Sequence, residues 1–119
     1  MKAIIVYEGK TLEYLPKLYA NEFGQELQFN IVNESETPID LTDYTVKLTF
    51  EAVKQGQINI IDLQSCTAVD ETIGQYKYVI TSGQLNILEN SIYSAFLTVE
   101  KTSTKKEIIK LGFVKIYYK

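Results

Sequence analysis

The stretch from Tyr44 to Ala52 constrains this chain more than any other. Tyr44, Val46, Leu48, Phe50 and Ala52 alternate with Thr45, Lys47, Thr49 and Glu51. Side chains on a β-strand point to opposite faces with a period of two, so this pattern predicts a strand with one face buried and one wet. Leu27, Phe29 and Ile31 repeat it against Gln28 and Asn30, and Tyr76, Tyr78 and Ile80 against Lys77 and Thr81. Tyr93, Ala95, Leu97 and Val99 repeat it against Ser94, Thr98 and Glu100. Shorter apolar stretches at Ala3–Tyr7, Ile58–Leu63 and Cys66–Val69 bring the expected set to about seven or eight strands.

Polar turn-forming segments separate these runs. They include Asn33 to Pro38, Gln55-Gly56-Gln57, Asp70 to Gly74 and the Thr- and Lys-rich tip from Lys101 to Lys106. Helical periodicity is weak. Thr81 to Leu88, with Ser82 as N-cap, is the one segment expected to form a turn or two of helix. Strands spaced this closely, with polar turns, predict an all-β sandwich or barrel of antiparallel sheets, filling residues 1–119 as one domain. The last strand departs from the pattern. Ile108, Val114, Ile116 and Tyr118 lie on one parity, and Ile109, Leu111, Phe113 and Tyr117 on the other. Either both faces of that strand are covered within the domain, or the outer one meets another chain.

Composition narrows the chemistry. The chain has no His, and all 12 of its basic residues are lysines. It therefore lacks the side chain that titrates near neutral pH and the bidentate fork that suits phosphate and guanine. A formal net charge of -3 argues against nucleic acid as a partner. No apolar run is long enough to cross a membrane, and the opening MKAIIVYEGK reads as a leading strand because its apolar stretch meets Glu8 at once. The single Cys66 has no histidine to activate it and is expected to be an inert, buried thiol. The carboxylate groups Glu34/Glu36/Asp40 and Asp70/Glu71 fall in expected turns, and no spacing resembles a metal-binding or phosphate-binding loop. No cofactor and no metal is expected, and the chain is read as a non-enzyme.

Nine tyrosines remain to be placed. Tyr44, Tyr76, Tyr78 and Tyr93 sit on inward parities and are expected in the core with hydrogen-bonded hydroxyls. Tyr14, Tyr19, Tyr117 and Tyr118 lie near the termini. Together with Leu15, Leu18 and Phe23 they form the expected partner surface, because aromatic groups anchor interfaces at small entropic cost.

Four segments carry a resemblance: IDLTDYTVKLTFEA at 39–52, GQYKYVIT at 74–81, SGQLN at 82–86 and IYSAFLTVEK at 92–101. Together they resemble the N-terminal domain of phage baseplate upper proteins. That family has a DLTG-type turn leading into an alternating strand, then a G-x-Y/F-x-Y strand, a short polar stretch and a Y-x-A-x-F strand. Asp43 stands where the family often has Gly, and Ser91 where a Gly is usual. The family's C-terminal extension toward the receptor-binding part is missing, so an excised domain or a shorter relative is expected. The resemblance implies an immunoglobulin-like antiparallel β-sandwich of about seven to nine strands. It implies a structural adaptor in the virion of a phage or prophage, made in the bacterial cytoplasm. Such a domain docks on the tail hub and positions host-binding proteins, so other baseplate proteins or its own copies are the expected partners. A carbohydrate-binding or adhesin module is the alternative. An exposed row of aromatics flanked by Asn or Asp on one sheet face would favour it.

Overall fold

A computed structural model of the chain describes residues 1–118. Ten strands form: β1 Lys2–Tyr7, β2 Lys10–Leu12, β3 Leu18–Tyr19, β4 Glu26–Val32, β5 Thr45–Ala52, β6 Ile61–Ser65, β7 Thr67–Asp70, β8 Gln75–Val79, β9 Ser91–Lys101 and β10 Lys105–Tyr117. Two five-stranded sheets pack as a sandwich, with orders β2-β1-β4-β8-β7 and β3-β10-β9-β5-β6. All pairings are antiparallel except β3 with β10. Strands β1, β4, β8 and β7 take the places of A, B, E and D in an immunoglobulin domain, and β10, β9, β5 and β6 those of G, F, C and C′. The expected all-β, immunoglobulin-like sandwich is the fold observed. Its strand number exceeds the expectation because β2 and β3 span three and two residues, too few to show an alternation.

The alternating segments bury the faces their patterns require. Leu27, Phe29 and Ile31 on β4, Val46, Leu48 and Phe50 on β5, and Tyr93, Ala95, Leu97 and Val99 on β9 all lie in the core. Register ties these faces together: Phe29 stands opposite both Ile5 and Tyr76, and Leu48 opposite Leu97. The core tyrosines keep hydroxyl partners. Tyr76 donates to the Leu41 carbonyl at 3.4 Å, Tyr93 accepts from Gln57 Nε2 at 3.2 Å, and Tyr78 meets Gln84 Nε2. Burial pushes all three phenols above their ordinary pKa. Tyr44 is only half-buried and packs beneath the Lys101 ammonium, 5.6 Å from its ring centre.

Two local expectations change. Thr81 to Leu88 forms no helix. Residues 82–85 make a turn instead, closed by Gln84 N donating to Thr81 O at 3.2 Å and Thr81 N donating to Gln84 Oε1 at 2.8 Å. A polar side chain that satisfies the backbone locally competes with helix continuation. Among the described residues the only helix is one 3₁₀ turn, Glu71–Ile73, capped by Asp70 and ended by Gly74 at φ 69.

The second change resolves the irregular last strand. Ile109, Leu111, Val114 and Ile116 are all buried, although they change parity midway. Pairing with β9 runs Lys110↔Phe96 and then Gly112↔Ala95, so the Leu111–Gly112 step contributes one residue more than its partner. Gly112 sits there at φ 85, the left-handed backbone that a glycine bulge uses. The bulge shifts the alternation by one, bringing odd positions inward before it and even positions inward after it. Both-sided coverage is therefore not the explanation. Ile108 and Phe113 face out at 49% and 58% exposure. Deleting Gly112 should straighten the ladder while keeping every face, and should cost no more than about 1–2 kcal/mol in urea titration. A loss large enough to abolish folding would show that the strand depends on the bulge's bend.

Candidate interaction surface

The residues expected to form a partner surface divide three ways. Leu15 and Leu18 are buried at 8% and 1% exposure and belong to the core, so they cannot present themselves to a partner. The correction has a simple cause: β3 crosses to the second sheet and pairs in parallel with the end of β10, placing Leu18 beside Ile116 under the sheet. Tyr19 and Tyr117 are brought together by the same pairing, with ring centres 5.9 Å apart and planes tilted by 38°. The Lys17 ammonium lies 5.6 Å from the Tyr117 ring centre, within cation–π reach. Tyr118 is exposed, its amide donating to Asn90 Oδ1 at 2.8 Å. Phe23 and Tyr14 are exposed. Phe23 lines an open cleft with Val6, Tyr7 and Glu8, whereas Tyr117 lines another with Lys54, Gln57, Asn90 and Ile92.

A more continuous apolar surface lies on the outer face of the second sheet. On the first sheet, the central strands β4 and β8 turn Glu26, Gln28, Asn30, Gln75 and Lys77 outward. Here Gln28 bonds Asn30 at 3.0 Å and Lys77 pairs with Glu26 at 3.4 Å. Ile4 and Val6 from β1 and Val79 from β8 share that face, so it is mixed and carries no ring on these three strands. The second sheet turns out Ile92 and Phe96 from β9 and Ile108 and Phe113 from β10. Phe113 stands opposite Ser94, so Ile92 and Phe96 are its two diagonal neighbours, within reach of an aromatic ring. Phe96 in turn lies between Lys110 and Thr49. Lys115 stands opposite Ile92. The register places no Asn or Asp directly beside these rings. Ile92 and Phe96 were not singled out in the sequence. The signal was present, since both are apolar residues on the otherwise wet parity of β9.

The groups capable of chemistry occupy structural posts. Asp40 Oδ1 accepts from the Thr42 hydroxyl at 2.6 Å and amide at 3.0 Å, and these bonds hold its carboxyl below the ordinary value. Asp70 makes the same pair of bonds to Thr72 and caps the 3₁₀ turn. Glu36 pairs with Lys2 at 3.6 Å. Burial pushes the Cys66 thiol up to about 12. At pH 8 its thiolate fraction should be at least about 100-fold below that of a free cysteine, so iodoacetamide labelling of the folded chain should be slower by a similar factor. The thiol is half-buried against the core rather than fully enclosed, and labelling as fast as in urea would refute its shielding. Among the described residues, no group of three or more His, Cys, Asp or Glu side chains could hold a metal ion, and no helix is long and apolar enough to cross a membrane.

What the geometry defines is an immunoglobulin-like sandwich whose second sheet carries an aromatic cluster on its outer face, which the first sheet lacks. No protein-family model matches the chain, and no curated protein matches it.

Proposed function

We propose that this chain is a non-catalytic structural adaptor of a phage or prophage tail baseplate, docking on the tail hub and positioning host-receptor-binding proteins in the virion. The observation that carries the reading is the asymmetry of the sandwich. Exposed Phe113, Ile92 and Ile108 and half-buried Phe96, two of them aromatic, form a contiguous cluster on one sheet face, while the other sheet turns Glu26, Gln28, Asn30, Gln75 and Lys77 outward with only the aliphatic Ile4, Val6 and Val79 among them. Exposed apolar patches rimmed by charge mark association surfaces. The resemblance to baseplate upper proteins supplies the particular setting. Its DLTG-type turn gains support from Asp43, whose φ of 70 is the left-handed conformation that glycine favours and Asp tolerates. The face favours protein over sugar, because the rings are flanked by lysine, serine and threonine rather than by the Asn or Asp that would orient a glycan.

Mass-resolved sizing of the chain with the tail-hub protein encoded in its own gene neighbourhood tests this reading. A stoichiometric complex is expected, weakened at least about tenfold by Phe113→Asp, a substitution at an exposed position that leaves folding intact. No complex with any neighbouring tail protein, together with specific binding on a glycan array, would replace the adaptor reading with the carbohydrate-binding one.

A further inference from the structure

The way a partner is held can be read from an open strand edge. Strand β10 is 13 residues long, and β3 covers only Ile116 and Tyr117 on the side away from β9. Among the described residues, Lys105 to Val114 have no strand partner along that edge, although the start of β1 packs near Glu107. The Tyr117 carbonyl accepts from Ala20 N at 2.8 Å, so the backbone of Tyr117 faces the edge. By the two-residue alternation of a strand, Lys115 and Phe113 face it too; the parallel Leu18↔Ile116 pairing engages the Lys115 carbonyl with Leu18 N, which leaves the Lys115 N–H and both backbone groups of Phe113 open. Their side chains lie on the apolar outer face described above. An edge this long is a template for another strand.

Charge says which strand fits. Strand β10 carries Lys105, Lys106, Lys110 and Lys115 against Glu107, a net +3 on a chain whose formal charge is -3. Glu107 is already engaged, 3.0 Å from the Met1 ammonium. Two copies of this edge brought together would place lysines against lysines, which is destabilising. The same lysines attract an acidic segment. We propose that the open edge of β10 takes an extended, acidic segment of a partner protein as an added strand, its backbone pairing with Phe113 and the Lys115 N–H, its carboxylates meeting Lys110 and Lys115, and its apolar residues covering Phe113 and Ile108. This inference rests on the adaptor reading and names how the docking works. Main-chain bonds supply the attachment and the alternating side chains the selectivity, as in strand-addition complexes generally.

The probes are ten-residue synthetic peptides: one alternating valine with glutamate, one alternating valine with lysine, and the acidic one N-methylated on alternate backbone nitrogens. Binding is followed by fluorescence anisotropy at low salt, and amide exchange is followed residue by residue. The acidic peptide is expected to bind and to protect the Phe113 and Lys115 amides, and the N-methylated peptide to bind at least tenfold more weakly. In K110E/K115E, which alters two exposed side chains, the preference should pass to the lysine peptide. Equal binding of both charge types, undiminished binding after N-methylation, protection confined to other strands, or dimerisation through β10 would each overturn the proposal. If K110E/K115E still forms the hub complex with unchanged affinity, this docking mode fails while the adaptor reading stands. Loss of the hub complex for every variant and for the unmodified chain is the failure of that reading instead.

Discussion

Replacing Gly74 with alanine is expected to destabilise the domain by about 3–4 kcal/mol, one of the largest effects available to so small a change. Gly74 ends the 3₁₀ turn at φ 69, where an L-residue already costs about 1–2 kcal/mol. A Cβ there would lie 2.5 Å from the Ile31 carbonyl oxygen and 2.9 Å from that of Ile39, both backbone atoms that cannot swing aside. To make room, the Gly74 segment must retreat from β4, which stretches the bond from Ile31 N to the Gly74 carbonyl at 2.9 Å. Each backbone bond lost in a buried place costs about 1 kcal/mol or more. A midpoint shift in urea at unchanged slope measures the loss. Gly112→Ala is the control, since nothing lies within 4 Å of a Cβ built there and only the φ of 85 is unfavourable. Equal losses at the two sites would show that close packing against β4 contributes nothing.

Phe29→Ala should cost about 3–5 kcal/mol, whereas Phe113→Ala should stay within about 0.5 kcal/mol. Phe29 is fully buried, held by the register between Ile5 and Tyr76, and its removal leaves a void at the middle of the first sheet. Phe113 is the same residue type on an edge-region strand, 58% exposed. The pair therefore separates packing from association: the first substitution should lower the melting temperature and the second should weaken only partner binding. A large stability loss at Phe113 would place that ring in the core and remove the apolar outer face from consideration.

The response to pH follows from the same burial. Cys66, Tyr76, Tyr78 and Tyr93 all have folded-state pKa values raised chiefly by burial. A raised pKa favours the neutral form in the folded state. The stability it confers is complete below the unfolded pKa and is lost as pH climbs toward the folded one. Alkaline unfolding should therefore begin near the ordinary cysteine value of 9.0 and deepen through the window up to about 12 for Cys66. Asp40 acts in the opposite direction. Its lowered pKa contributes stability above the ordinary value of 3.8, lost as pH falls below it, and its full exposure keeps that contribution small. Circular dichroism across pH 8 to 12 checks the alkaline limb, and a Cys66→Ala variant should shift its onset upward.

Local periodicity is enough to place the elements in which pattern and final environment agree. The alternations at Tyr44–Ala52, Leu27–Ile31, Tyr76–Ile80 and Tyr93–Val99 became the buried faces of β5, β4, β8 and β9, because a period of two leaves a half-buried strand no other way to hide its apolar side. Features that join distant positions required the tertiary structure. Leu15 and Leu18 look like spare surface in sequence and are core in fact, because β3 crosses between sheets to pair with β10. The change of parity in the last strand looked like a two-faced strand until its pairing with β9 exposed the bulge at Gly112. Ile92 and Phe96 became part of a surface only when register set them beside Phe113. Alternation is a property of one strand and survives in the linear code, whereas adjacency between strands belongs to hydrogen-bond register, which no single segment carries.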